Sequence, residues 1–313
     1  MKPEILMMGP MMPHVEAALD DAYTVHRLFG ADDADALIAR VGPRIRGIAT
    51  DGGLGASADL MGRLSALEIV SCYGVGVDAI DLGHAKTRGV TVTNTPDVLN
   101  DDVANMAVAL VLATSRTLVA NDAYVRQGRW VAEGAPPLAR SIRGARVGIL
   151  GLGRIGKDIA EKLGVFGCEI AYHGRTRQEG VSHDYFDDLT AMAAASDYLV
   201  AICPGGAATN GIVNASVLEA LGPQGTFINV ARGSVHDEPA LVAALQSGKL
   251  GMAGLDVFAS EPSVPEALLK MDNVILQPHQ GSGTVETRRA MGDLVVENLR
   301  RHFAGEAVRT PVG

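Results

Sequence analysis

Short apolar runs alternate with amphipathic stretches almost from end to end of the chain. In the first third, ILMMG (5–9), RGIAT (46–50), EIVSCYG (68–74) and VTVTN (90–94) read as strands, with helical periodicity over 14–22, 31–41 and 57–66 between them. A second series opens at ARVGILG (145–151). It continues through CEIAYHG (168–174), DYLVAIC (197–203), TFINVA (226–231), MAGLDVF (252–258) and NVILQPH (273–279), with helical patterns such as 154–166 and 237–247 in the gaps. Strands alternating with helices build βαβ units and a parallel sheet. The second-series runs are continuously apolar, as strands covered on both faces are. The pattern predicts an α/β protein with two doubly wound parallel-sheet domains. Two longer helices complete it. One, from about Asp101 to Leu118, joins the series; the other, from about Thr284 to Phe303, is placed to return to the first domain.

A length of 313 residues suits two domains. The charge balance, 27 Lys plus Arg against 36 Asp plus Glu, gives −9 and makes a poor polyanion binder, which argues against nucleic acid and anionic membrane as partners. Cys72, Cys168 and Cys203 are scattered, form no CxxC pair and read as reduced thiols. The first residues, MKPEILMMGPMM, lack the length and cleavage site of a signal peptide, and the apolar stretch around 106–114 is too short to span a bilayer. A soluble, cytoplasmic protein is expected. No HExxH or other close ligand spacing occurs among the eight histidines, so no metal is expected.

Candidate chemistry begins at Gly151-Leu152-Gly153-Arg154-Ile155-Gly156, a G-x-G-x-x-G between a strand and a helix. In that context Gly151 permits the tight turn, Gly153 lets backbone approach a pyrophosphate, Gly156 allows close helix–strand packing, and the helix N-terminus attracts phosphate. The alternative is an ordinary structural turn. At the end of the next strand an NAD site wants an acid for the ribose hydroxyls. The chain instead reads Tyr172-His173-Gly174-Arg175-Thr176-Arg177, with no acid before Glu179. Arg175 and Arg177 can neutralise a 2′-phosphate and Thr176 can hydrogen-bond it, which favours NADPH over two arginines that merely decorate a loop.

Three successive strands of the second series lead to Arg232, Glu261 and His279. In a parallel sheet all three emerge on the edge that carries the glycine loop. Arginine offers a planar fork for a carboxylate and can polarise a neighbouring carbonyl. Histidine donates a proton near neutral pH, and a glutamate beside it orients the ring and favours the imidazolium. This is equipment for reducing a 2-oxo acid by hydride transfer. Singly, each has a structural alternative: a surface arginine, a glutamate before Pro262, a strand-end histidine. Upstream, bare amides at Gly74, Val75 and Gly76 form either an anion nest or an ordinary turn.

Taken together, YGVGVDAID, VTNTPDVLNDDVANMA, VGILGLGRIG, FINVARGSVHDEPAL, AGLDVFASEP and QPHQGSGTVETRRAM resemble the D-isomer-specific 2-hydroxyacid dehydrogenase family in content and order. Within it, ILMMGPM, YHGRTR and GSGTVETRRAMGDLVVENLRRHF are most similar to NADPH-dependent glyoxylate/hydroxypyruvate and hydroxyphenylpyruvate reductases. The resemblance implies a Rossmann coenzyme domain, residues 98–282, inserted in a flavodoxin-like substrate domain, residues 1–97 plus 283–313. It implies that Arg232 binds substrate carboxylate and carbonyl, that His279 protonates the carbonyl oxygen and that Glu261 tunes His279. It further implies cofactor contacts at Cys203, Pro204, Thr209, Val230, Ala231, Asp256 and Gly281 beside the glycine loop and Arg175–Arg177. Substrate contacts are implied at Gly74, Val75, Gly76, Leu54 and Trp130, and assembly as a homodimer. Two departures concern substrate choice: Leu99-Asn100-Asp101-Asp102-Val103-Ala104-Asn105 where related reductases often read LTDDVAD, and the glycine-rich loop Asp51-Gly52-Gly53-Leu54-Gly55. Formate dehydrogenases pair the histidine with glutamine, so Glu261 argues against that activity. A non-catalytic dinucleotide sensor on the same fold is the rival of another class.

Overall fold

The computed structural model describes residues 2–312. The chain divides into two compact units, Met1–Leu99 with Thr284–Gly313, and Asn100–Gly283. In the first, strands β1 (Glu4–Met7), β2 (Thr24–Arg27), β3 (Ile45–Asp51), β4 (Ile69–Tyr73) and β5 (Thr91–Thr93) lie in the order β2-β1-β3-β4-β5, every pairing parallel. This is the flavodoxin-like order. Successive side chains of a strand face opposite ways. Accordingly Ile5 and Met7 pack with Val15, Leu19, Val295 and Leu299 on one face, while Leu6 packs with Ile38, Met61 and Leu64 on the other. Val295 and Leu299 come from the last helix, Val285–Phe303, capped by the Thr284 hydroxyl, which accepts the Thr287 N–H. Its buried Asn298 donates to the Thr310 hydroxyl at 2.8 Å and accepts the Arg309 N–H at 2.9 Å, pinning the tail.

In the second unit, β6 (Arg146–Leu150), β7 (Glu169–His173), β8 (Asp184–Phe186), β9 (Tyr198–Ala201), β10 (Thr226–Asn229), β11 (Met252–Leu255) and β12 (Val274–Leu276) form one parallel sheet in the order β12-β11-β10-β9-β6-β7-β8. The order reverses between β6 and β9, the switch point at which a doubly wound sheet opens to a ligand. The helix Asn100–Ser115 buries Ala104, Ala107, Leu110 and Val111. Gly254 of β11 lets it pack close, since a Cβ there would stand 2.8 Å from Ile228 Cδ1 and 3.2 Å from Leu110 Cβ.

Some sequence expectations need correction. The joining helix does not run to Leu118. Thr114 and Ser115 turn their hydroxyls back onto helix carbonyls, Thr117 adopts φ +47°, and a new helix, Leu118–Arg126, leaves at 56°. The strands β10, β11 and β12 stop at Asn229, Leu255 and Leu276, so Arg232, Glu261 and His279 sit in the loops beyond them. The helix read over 57–66 spans only Ala58–Gly62. Two edge strands, β2 and β8, escaped the apolar pattern because they are short and polar. No single helix among the described residues is long and apolar enough to cross a membrane.

Candidate active site

The glycine loop joins β6 to the helix Arg154–Val165. Gly151 has φ +103°, and a Cβ on it would lie 2.8 Å from Cys203 Cα; a methyl on Gly156 would strike the Gly151 carbonyl. Gly153, at the N-cap, has no side-chain cap and faces open space. Uncapped helix N–H groups beside room for an anion fit a dinucleotide pyrophosphate. Leu152 is buried, its carbonyl held by Gln178 Nε2 at 2.6 Å, and Ile155 is half-buried while Arg154 is exposed. Cys203 is buried, which pushes its thiol up to about 11. Thr209 donates to the Pro204 carbonyl at 2.6 Å and closes the loop after β9, and Val230 donates to Ala201 at 3.2 Å. Past β7, Arg175, Thr176 and Arg177 are exposed, and neither arginine joins an ion pair among the described residues.

His279 lies in the loop after β12 with φ +55°, a left-handed conformation that costs a non-glycine residue of order 1–3 kcal/mol. Asp256, just past β11, stabilises that turn: its carboxylate accepts the N–H of Gln280 at 2.6 Å and of Gly281 at 2.7 Å. Burial pushes the Asp256 carboxyl up, and these two bonds work against the rise. The loop after β11 supplies the partner. Glu261 Oε2 lies 2.7 Å from His279 Nδ1, and Oε1 accepts the Phe258 N–H at 3.0 Å. Burial would raise the Glu261 carboxyl, but the His279 and Phe258 hydrogen bonds and the charges of His279 and Arg232 leave it below its ordinary value. With Glu261 ionised, Nδ1 carries the proton it shares with the carboxylate.

Arg232 opens the turn Gly233–Val235 after β10, half-buried, with Nη1 donating to the Ala231 carbonyl at 2.8 Å. A methyl on Gly233 would strike the Phe258 carbonyl, and Glu238 accepts the Ala259 N–H at 3.0 Å. The loop that bears Glu261 is therefore packed against the turn that Arg232 opens and bonded to Glu238, the first residue of the helix Glu238–Gln246. The structure brings Arg232, Glu261, His279, Asp256 and Gly281 together on the sheet edge that carries the glycine loop.

Gly74, Val75 and Gly76 follow β4 in the first unit; the Gly74 carbonyl accepts the Thr95 N–H and the Val75 carbonyl accepts Asn94 Nδ2, each at 2.9 Å. Leu54 is 51% exposed, and its amide and that of Gly53 donate to Asp51 Oδ1 at 2.7 and 2.8 Å. Sequence reasoning missed this internal cap; an Asp two and three residues before free amides is its signal. Trp130, on the helix Arg129–Glu133 of the second unit, is 59% exposed. Among the described residues no group of three or more His, Cys, Asp or Glu is placed to hold a metal.

Comparison with known proteins identifies the family. Residues 108–281 match the family model described as D-isomer specific 2-hydroxyacid dehydrogenase, NAD binding domain. The chain is 46% identical over 308 residues to a hydroxyphenylpyruvate reductase of Plectranthus scutellarioides, covering 98% of each chain. A glyoxylate/hydroxypyruvate reductase of Arabidopsis thaliana matches with the same identity and coverage. The crystal structure of an NADPH-dependent glyoxylate/hydroxypyruvate reductase from Sinorhizobium meliloti, in complex with NADP and malonate, superposes with TM-score 0.93 at 49% identity, over 100% of this chain and 97% of that one. A Rossmann unit inserted in a flavodoxin-like one, and relatives of this identity over almost their whole length, place the chain in the D-isomer-specific 2-hydroxyacid dehydrogenase family.

Proposed function

We propose that the protein reduces small 2-oxo acids, glyoxylate and hydroxypyruvate, to D-2-hydroxy acids with NADPH. The observation that carries this reading is the 2.7 Å His279–Glu261 pair, joined through packed loops to Arg232, on the edge of the glycine loop. The glycine loop would hold the pyrophosphate, with Cys203, Pro204, Thr209, Val230, Ala231, Asp256 and Gly281 around the rest of the cofactor. When bound, the reduced nicotinamide supplies a hydride for the substrate carbonyl carbon. Arg232 would anchor the carboxylate with its fork and polarise the carbonyl. His279 would deliver the proton from Nε2 to the carbonyl oxygen, and Glu261 would hold Nδ1–H and balance the charge of the protonated ring. The Gly74–Gly76 amides, Leu54 and Trp130 are proposed to complete substrate binding.

An aryl-pyruvate such as hydroxyphenylpyruvate is the second reading, favoured by the Plectranthus relative. It presents the same carboxylate and carbonyl to Arg232. NADPH oxidation, followed by absorbance on adding glyoxylate, hydroxypyruvate or hydroxyphenylpyruvate, tests both: the proposal expects the highest kcat/KM for one of the first two. NADPH binding without turnover of any of them would instead identify a dinucleotide sensor.

Replacing Arg175 and Arg177 with glutamine should weaken NADPH far more than NADH. Each lost charge-assisted contact to a 2′-phosphate is worth about 1.5–3 kcal/mol, so the preference should fall by about tenfold or more. A wild type that already prefers NADH overturns this assignment.

Glu261→Gln keeps shape and hydrogen bonding but removes the charge. Reduction needs His279 protonated at the start, and an ionised Glu261 stabilises that form. The variant should therefore lower kcat for reduction by about tenfold or more while KM for the 2-oxo acid stays nearly unchanged. Lost stability with unchanged kcat would leave Glu261 a structural role only.

Homodimerisation and a cytoplasmic location complete the proposal. The helices Leu118–Arg126 and Arg129–Glu133 and the segment after them expose Leu118, Val119, Val125, Val131 and Leu138, apolar side chains that a second copy would cover. Sedimentation of the purified chain distinguishes dimer from monomer.

A further inference from the structure

The mechanism above leaves two buried polar residues unused, Asn229 and His236, which stand at the two ends of the loop that carries Arg232. Asn229 is the last residue of β10 and 0% exposed. Its Oδ1 accepts the Ala231 N–H at 2.9 Å, its Nδ2 donates to the Arg232 carbonyl at 2.9 Å, and Nδ2 also lies 3.0 Å from His236 Nδ1. The first two partners are backbone groups of fixed polarity, so they settle which end of the amide is oxygen and which is nitrogen. The second N–H of Nδ2 then points at His236, and His236 Nδ1 must accept it. The ring is therefore neutral and carries its proton on Nε2. His236 is 3% exposed, stands edge-on to Phe227 with centroids 5.7 Å apart, and is pushed by burial down to about 4, so it keeps this acceptor through the neutral range.

We propose that Asn229 and His236 act together as positioning residues for Arg232, fixing the 230–236 loop so that the guanidinium meets the substrate carboxylate. This rests on the role given to Arg232 above, and neither residue touches substrate. The amide binds the backbone on both sides of the Ala231–Arg232 peptide, and the imidazole fixes the amide from the far end of the loop. Remove the acceptor, and one N–H of Asn229 is left buried without a partner. The amide then turns or shifts, and it takes the Arg232 carbonyl with it.

Variants at His236 test this through glyoxylate kinetics in the intact enzyme, per mole of folded protein. His236→Leu removes the acceptor, whereas His236→Asn restores an oxygen near the position of Nδ1. The expected result is that His236→Leu raises KM and lowers kcat by about tenfold each, and that His236→Asn recovers both to within about threefold. Equal impairment of the two variants would mean that ring shape, not the acceptor, matters, and would overturn the proposal. Wild-type kinetics in His236→Leu, whatever its Tm, would overturn it too. Should His236→Leu fail to fold, His236→Val, smaller and also without an acceptor, takes its place in the same comparison. Arg232→Ala run in parallel separates the two levels. If it collapses while His236→Leu behaves as wild type, only the positioning inference fails; if it retains normal turnover, the role of Arg232 fails and this inference with it.

Discussion

His279→Ala is expected to lower kcat for 2-oxo acid reduction by about two to four orders of magnitude while leaving NADPH affinity nearly intact. The local geometry explains the size of the effect. The Asp256 carboxylate is committed to the Gln280 and Gly281 amides, and Glu261 divides its two oxygens between Phe258 and His279. Neither carboxyl is placed to donate a proton in place of the imidazole, because each is held by backbone amides of its own loop or turn. Without His279 the proton must come from water. The dinucleotide is expected at the glycine loop and at Arg175–Arg177, which the substitution does not alter. Steady-state kinetics paired with a fluorescence titration of NADPH checks both halves. Near-normal turnover would remove His279 from the mechanism; equal losses of turnover and NADPH affinity would mean that the variant had disturbed the turn at φ +55° rather than the chemistry.

The site was legible in the sequence wherever one residue type has one physical use. The spacing of Gly151, Gly153 and Gly156 between an apolar run and a helical one announces the turn, and the structure gives each glycine its reason: a positive φ, an open N-cap and a carbonyl in contact. Arg232, Glu261 and His279 stood out because each follows an apolar run that both faces of a sheet would bury. What stayed hidden depends on groups distant in sequence. Asn229 sits inside the run TFINVA, and nothing local says that its amide serves the loop ahead of it. Asp256 accepts amides from residues 24 and 25 positions later. The strand β2 pairs with β1 at the sheet edge, and its polar sequence is tolerated because Glu4 reaches His26 at 2.8 Å. The helix break at Thr117 lay in a stretch whose apolar periodicity continues across it, so periodicity alone could not place it.

Arg232→Ala is expected to lower kcat/KM by about two to four orders of magnitude, from two charge-assisted hydrogen bonds worth about 1.5–3 kcal/mol each. The side chain is half-buried and braced on the Ala231 carbonyl at 2.8 Å, so its fork is set before substrate arrives. A carboxylate anchor alone acts equally on the bound substrate and on the transition state, and its loss raises KM with kcat unchanged. A group that also polarises the carbonyl gains strength as negative charge grows on that oxygen, and its loss lowers kcat as well. Arg232 is assigned both tasks, so both constants should change. Arg232→Lys separates them: it keeps the positive charge but lacks the planar fork, and should recover part of kcat while KM stays high. A variant series in which KM alone responds would restrict Arg232 to holding the carboxylate and leave His279 as the group that acts on the carbonyl oxygen. Normal KM and kcat in Arg232→Ala would place substrate recognition elsewhere in the chain.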